Sequence, residues 1–188
     1  GLTLALSARQ PDLLITADGR HVATRLADGR YALLRDRAGD YVRDQLAEAA
    51  GIDAELDPLS DRQDARCTAD FCSWRIVHGR RRWTIVAARS AHLVRWSDLI
   101  GACRSADIII AERRLPDACR PRWLKADRAL HAASGGLAID LVSGRIRASR
   151  AGDQGKPWSS PPFIMPRLPT RRAVSDSGAK VPPAGPVS

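Results

Sequence analysis

Between Trp96 and Leu141 the hydrophobic pattern alternates between helical and extended spacing. That alternation restricts the chain to folds that lay helices against a buried sheet. Trp96-Ser-Asp-Leu-Ile-Gly-Ala-Cys-Arg104 has the spacing of a helix. Ala106-Asp-Ile-Ile-Ile-Ala111 is a short apolar, β-branched run, as expected of a strand buried on both faces. The loop Glu112-Arg-Arg-Leu-Pro-Asp-Ala-Cys-Arg-Pro121 follows, and the pattern predicts a second helix from about Arg122 to Ala133. Ser134-Gly-Gly136 stops that helix, and Leu137-Ala-Ile-Asp-Leu141 reads as another strand.

The first third of the chain predicts an antiparallel meander. Asp12 to Thr16, His21 to Leu26 and Tyr31 to Arg35 read as strands, joined by two Asp-Gly turns, Ala17-Asp-Gly-Arg20 and Ala27-Asp-Gly-Arg30. A helix is expected from Asp40 to Ala50, with Tyr41 or Val42, Leu46 and Ala49 inward and Gly51 as its stop. Residues 52 to 66 read as an acidic loop. A ribbon of Phe71 to Val77 and Arg82 to Ala88 follows around His78-Gly-Arg-Arg81. Its inward faces carry Cys72, Trp74 and Ile76 on one strand and Trp83, Ile85 and Ala87 on the other. Ser143-Gly144 turns into a last strand, Arg145 to Ser149.

Three sections are expected. Residues 1–9 include Leu2-Thr-Leu-Ala-Leu-Ser-Ala8, which is far short of a membrane helix and reads either as a first strand or as the end of a membrane segment. Residues 10–150 form the folded domain. Residues 151–188 hold most of the prolines with repeated Ser and Gly, too little apolar surface to offset their ordering entropy, and are expected to be a disordered tail. Lys156, Arg167, Arg171, Arg172 and Lys180 against Asp153 and Asp176 give this tail a net charge of +3, out of +9 for the chain. Such a balance, carried almost wholly by arginine, favours acidic partners, although an arginine-rich genome would produce it too.

The four cysteines allow three pairings. Their spacing does not match zinc knuckles, which want C-x₂-C pairs or nearby His. Local disulfides Cys67–Cys72 and Cys103–Cys119 are the simplest solution and imply an oxidising compartment, the periplasm in a bacterium; four buried thiols in the cytosol are the alternative.

Catalytic signals are sparse. His21, His78, His92 and His131 are isolated from one another, whereas a dinuclear metal hydrolase needs an H-x-H-x-D-H cluster to hold its ions and activate their bridging water. Ser134-Gly-Gly136 is not a nucleophile elbow, and Gly135-Gly136 precedes a strand instead of following one, the wrong order for a phosphate loop. No catalytic residue, metal or cofactor is expected. What remains are two basic clusters, Arg80, Arg81 and Arg82, and Arg113, Arg114, Arg120, Arg122 and Lys125 with Trp123 among them. Arginines beside exposed aromatics suit phosphate contact and base stacking on single-stranded DNA; solvated surface charge is the plain alternative for each.

The stretch 96–141, together with Pro11-Asp-Leu-Leu-Ile-Thr-Ala-Asp-Gly-Arg-His21, Leu33-Leu-Arg-Asp-Arg-Ala-Gly-Asp-Tyr-Val-Arg-Asp44 and Arg122-Trp-Leu-Lys-Ala-Asp-Arg128, resembles the terminal metallo-β-lactamase-like domain of ComEC-type DNA-uptake (competence) channel proteins. The resemblance covers roughly residues 10 to 158 and rests on summed similarity. It implies an α/β fold, a degenerate metallo-β-lactamase-like sandwich of mixed sheets with flanking helices. Active members of that superfamily carry a metal-binding or phosphate-facing histidine in the loop after the Ala-Asp-Ile strand; here Glu112, Arg113 and Arg114 stand there. The expectation is therefore a metal-free domain at the periplasmic face of the inner membrane. It would engage single-stranded DNA without cleaving it, beside the channel segment of the same polypeptide and other DNA-uptake proteins. A docking module without DNA affinity, and a hydrolase with an unrecognised site, are the alternatives.

Overall fold

The computed structural model describes residues 9–35, 37–53, 55–78, 81–92 and 94–150. The expectations for residues 1–8, for the tail from 151 and for Arg80 fall outside them.

The meander forms as its two Asp-Gly turns require. Strands β1 (Leu13–Ile15), β2 (Val22–Arg25) and β3 (Tyr31–Leu33) pair antiparallel. Gly19 and Gly29 take positive φ in the turns. Helix α1 (Asp40–Ala50) follows and ends on left-handed Gly51. Its inward face is Val42, Leu46 and Ala50, one residue every four; of the two candidates Tyr41 and Val42 it is Val42 that packs inward, Tyr41 being 72% exposed, and the expected inward Ala49 is exposed and is corrected to Ala50.

The segment expected to be an acidic loop is partly ordered. β4 (Asp57–Pro58) adds parallel to β3, a 3₁₀ turn spans Leu59–Asp61, and β5 (Ala65–Cys67) pairs with β6. Leu56 and Leu59 explain it, since both are buried. The ribbon β6 (Phe71–His78) and β7 (Arg81–Ala88) is antiparallel, with the inward residues as expected. Helix α2 (Trp96–Ser105) leads into β8 (Ile108–Ile110), which lies parallel to β7.

The expected helix over 122–133 is a correction. Leu124–Ala126 form β9, parallel to β8, and helix α3 spans only Arg128–Ser134. Asp127 caps it, accepting from the N–H groups of Ala129 and Leu130. Strands β10 (Leu137–Asp140) and β11 (Arg145–Ala148) are the last elements among the described residues.

Two mixed sheets result, with strand orders β11-β10-β1-β2-β3-β4 and β5-β6-β7-β8-β9. Their inner faces share one core that includes Leu13, Ile15, Trp74, Trp83, Ile108 and Ile139. Trp74 donates across it to the Thr24 hydroxyl at 3.2 Å. Helix α1 covers the outer face of the first sheet and α2 covers part of the outer face of the second. Both expected cysteine pairs lie at disulfide distance: Cys67 and Cys72 are cross-strand neighbours, and Cys103 of α2 meets Cys119 with Cα atoms 5.2 Å apart. Among the described residues no helix is long and apolar enough to cross a membrane.

Candidate nucleic-acid interface

The carboxyl ends of β7, β8 and β9 meet the β1–β2 turn and α3 at one end of the molecule. Between them lies a cleft of about 440 Å³ lined by Ala17, Asp18, Arg20, Glu112, Arg128, His131 and Ala132. Ends of parallel strands are where α/β folds present their sites, because the chain there is free of ladder hydrogen bonds.

Each acidic or imidazole group of the cleft is already engaged. Glu112 pairs with Arg20 at 2.9 Å and lies 3.6 Å from Arg35, one carboxylate between two guanidinium groups. Asp18 holds its own turn, accepting from the Thr16 hydroxyl and the Arg20 N–H. Burial pushes its carboxyl up, but these hydrogen bonds and the neighbouring cations outweigh burial and hold it below the ordinary value. His131 is 2% exposed, and its Nε2 lies 3.2 Å from the Ala126 carbonyl oxygen. Burial is the main reason its pKa falls below the ordinary value, so it sits in the fold as neutral imidazole. His131, in the last turn of α3, is thus a core residue. His21 is likewise pushed down, chiefly by burial. Among the described residues no group of three or more His, Cys, Asp or Glu could hold a metal ion. Of the cleft's side chains, Glu112 is neutralised by arginine and the His131 imidazole is turned to a backbone carbonyl, so they do not fit a dinuclear metal centre.

The basic residues picked out by sequence divide between opposite ends of the second sheet. Arg113 and Arg114 follow β8 at the cleft end; Arg113 donates to the His92 carbonyl at 2.8 Å and Arg114 is exposed. Lys125 lies on β9, partly buried, with Nζ 3.9 Å from Asp127. Arg122 sits at the other end of β8, where it pairs with Asp107 at 2.7 Å and donates to the carbonyls of Arg104 and Ser105. Five residues of strand, ~17 Å, separate positions 107 and 112, so the cluster is not one patch. Arg120 is exposed near Asp117, beside the Cys119 link to α2.

Trp123 is a further correction. It is 7% exposed and packs on Trp83 with ring centroids 4.8 Å apart, so it is core and not a stacking platform. Arg81 lies over the Trp83 ring at 3.9 Å and closes the core at that end, while its neighbour Arg82 points to the outer face. Strand alternation alone separates the two, and it was available in the sequence. Arg20, Arg35, Asp107 and the capping role of Asp127 were not anticipated. Asp127 had a signal, an N-cap before Arg-Ala-Leu-His; Arg20 and Arg35 had none, because they reach Glu112 from distant parts of the chain.

Comparison with protein-family models, with curated proteins and with solved structures finds no match to this chain.

Proposed function

We propose that this chain is the degenerate, metallo-β-lactamase-like end of a ComEC-type DNA-uptake protein. In this reading it lies at the periplasmic face of the inner membrane, beside the protein's channel segment, and engages incoming single-stranded DNA without cutting it. The observation that carries the proposal is the fate of Glu112. In the strand-end cleft it is held between Arg20 and Arg35, with Arg128 lining the same cleft. A site of that charge attracts phosphate and repels the divalent ions that hydrolysis would need. Two stacked mixed sheets with a helix on each outer face are consistent with the sandwich the resemblance implies. The cysteine pairs at disulfide distance support an oxidising compartment.

The test is titration of a fluorescent single-stranded oligonucleotide with the chain at low and rising salt. We expect binding that weakens linearly in log–log form, as counterion release demands. No binding at low ionic strength would overturn the proposal and favour a bracing or docking module.

A further inference from the structure

We infer that the phosphate backbone of single-stranded nucleic acid lies on the uncovered outer face of β5, β6 and β7, along Arg66, Arg75 and Arg82. This deepens the DNA-binding reading above and rests on it; it names a surface away from the strand-end cleft.

Ladder register builds the surface. On the outer face Arg66 stands opposite Ser73, Arg75 opposite Thr84, and Arg82 opposite Val77. Counted along β6, the three arginines fall at successive two-residue steps while moving one strand sideways each time. They therefore form a straight diagonal, with neighbours about 7–8 Å apart at their Cα atoms. That step is close to the spacing of successive phosphates in an extended strand. All three side chains are exposed, and none has an ion pair or hydrogen bond among the described residues. The outward positions between them, Ser73, Val77 and Thr84, are uncharged, and Asp64, just before β5, is paired with Arg62. Helix α2 stops short of it, covering Val86, Ala88 and Ile109 instead. At the Arg82 end Asp107 is already paired with Arg122.

Three unpaired cations in a row with no acid among them are costly by mutual repulsion and gain nothing inside the fold. A polyanion of matching period relieves that repulsion. No aromatic side chain stands within the row, Phe71 on the same face being packed against the α2 cluster, so the contact is with phosphate and is blind to base identity. Guanidinium groups suit such contacts because each can bond two phosphate oxygens at once.

The experiment compares the whole chain with the triple variant Arg66→Ala, Arg75→Ala, Arg82→Ala and with Arg113→Ala, Arg114→Ala. Binding of an oligothymidylate is measured against salt, and vesicles rich in phosphatidylglycerol serve as a second probe. Each phosphate contact on a single strand contributes about 0.7 to the log–log salt slope, so the triple variant should lose about 2 from the slope. Its affinity at low salt should fall at least about tenfold, equally for mixed-sequence strands. The cleft variant should keep this part of the slope. A triple variant that binds like the parent would overturn the inference while leaving the DNA-binding reading intact. A parent chain that binds no single strand would overturn both, and loss of vesicle binding in the triple variant would then assign the row to anionic lipid. Circular dichroism of the triple variant checks its fold, which surface substitutions of this kind should leave unchanged.

Discussion

Gly19 shows how tightly single residues are specified here. Its φ is +71°, and a Cβ added there would lie 2.7 Å from two atoms of the His131 ring. Gly29, the equivalent residue of the next turn, has φ +89° but nothing within 4 Å of an added Cβ. Gly29→Ala should therefore cost about 1 kcal/mol, from backbone strain alone. Gly19→Ala should cost about 2–4 kcal/mol, because overpacking against a buried ring adds to the same strain. Urea unfolding of the two variants checks this, and equal costs would contradict the Gly19–His131 contact. His131 also makes stability depend on pH. Burial lowers its folded pKa below the unfolded value of 6.5, so its contribution is complete above about 6.5 and is lost as pH falls through the folded pKa. His21 acts in the same direction. Urea midpoints should drop between pH 7 and pH 5, and His131→Leu should make that limb shallower whatever it does to absolute stability. Tyr31 sets the alkaline side. Burial pushes its phenol up to about 12, and its hydroxyl donates to the Pro11 carbonyl. Its contribution is present below pH 10 and is lost as pH rises toward 12.

Among the elements, α3 and β9 depend on one side chain. Asp127 caps α3 with Oδ1 and accepts from the Leu115 N–H with Oδ2 at 3.0 Å, which ties the loop after β8 to the start of the helix. Asp127→Ala removes the cap, at about 1 kcal/mol, and leaves a buried N–H without a partner, at about 1–3 kcal/mol. A loss of about 2–4 kcal/mol in denaturant unfolding is expected; a loss below about 1 kcal/mol would show that α3 does not need this anchor. The link between Cys103 and Cys119, both buried, spans 16 residues of sequence. Its removal should cost about 3 kcal/mol, a fall in Tm of roughly 6–12 °C for a domain of this size. Unchanged Tm in Cys103→Ser, Cys119→Ser would mean that these thiols do not bridge.

The same elements show how much was legible in the sequence. The meander, the ribbon, α2 and β8 were readable because turn residues and a strong apolar period agree. Strand β9 was not. Leu124, Lys125 and Ala126 favour helix by intrinsic propensity, and three residues are too few to display alternation; pairing with β8 overrides propensity. Strand β5, after the 3₁₀ turn Leu59–Asp61, was hidden for a similar reason, being three residues long beside acidic neighbours. At the candidate interface, residue types and the alternating faces of β7 were legible, but cross-strand neighbours were not. Arg81 and Arg82 look alike as a run, yet one seals the core over Trp83 and the other faces solvent. Arg66 and Arg75 were passed over because each stands alone in sequence; only cross-strand register aligns them with Arg82.

For the whole molecule, in the reading proposed above, the distribution of charge favours holding a polyanion over hydrolysing one. Carboxylates near the strand ends are spent on internal work: Glu112 between two arginines, Asp127 on a helix cap, Asp107 on Arg122. Exposed arginines are left over at the cleft and on the outer face of the second sheet. The most direct measurement is a single anisotropy time course. A 5′-labelled single strand is mixed with the chain at low salt in the presence of Mn²⁺ or Zn²⁺ and followed for hours. We expect the signal to rise on mixing, to hold steady, and to fall back only when salt is added. No rise, or a rise that decays as the strand is cut, would contradict a domain that binds DNA and leaves it whole.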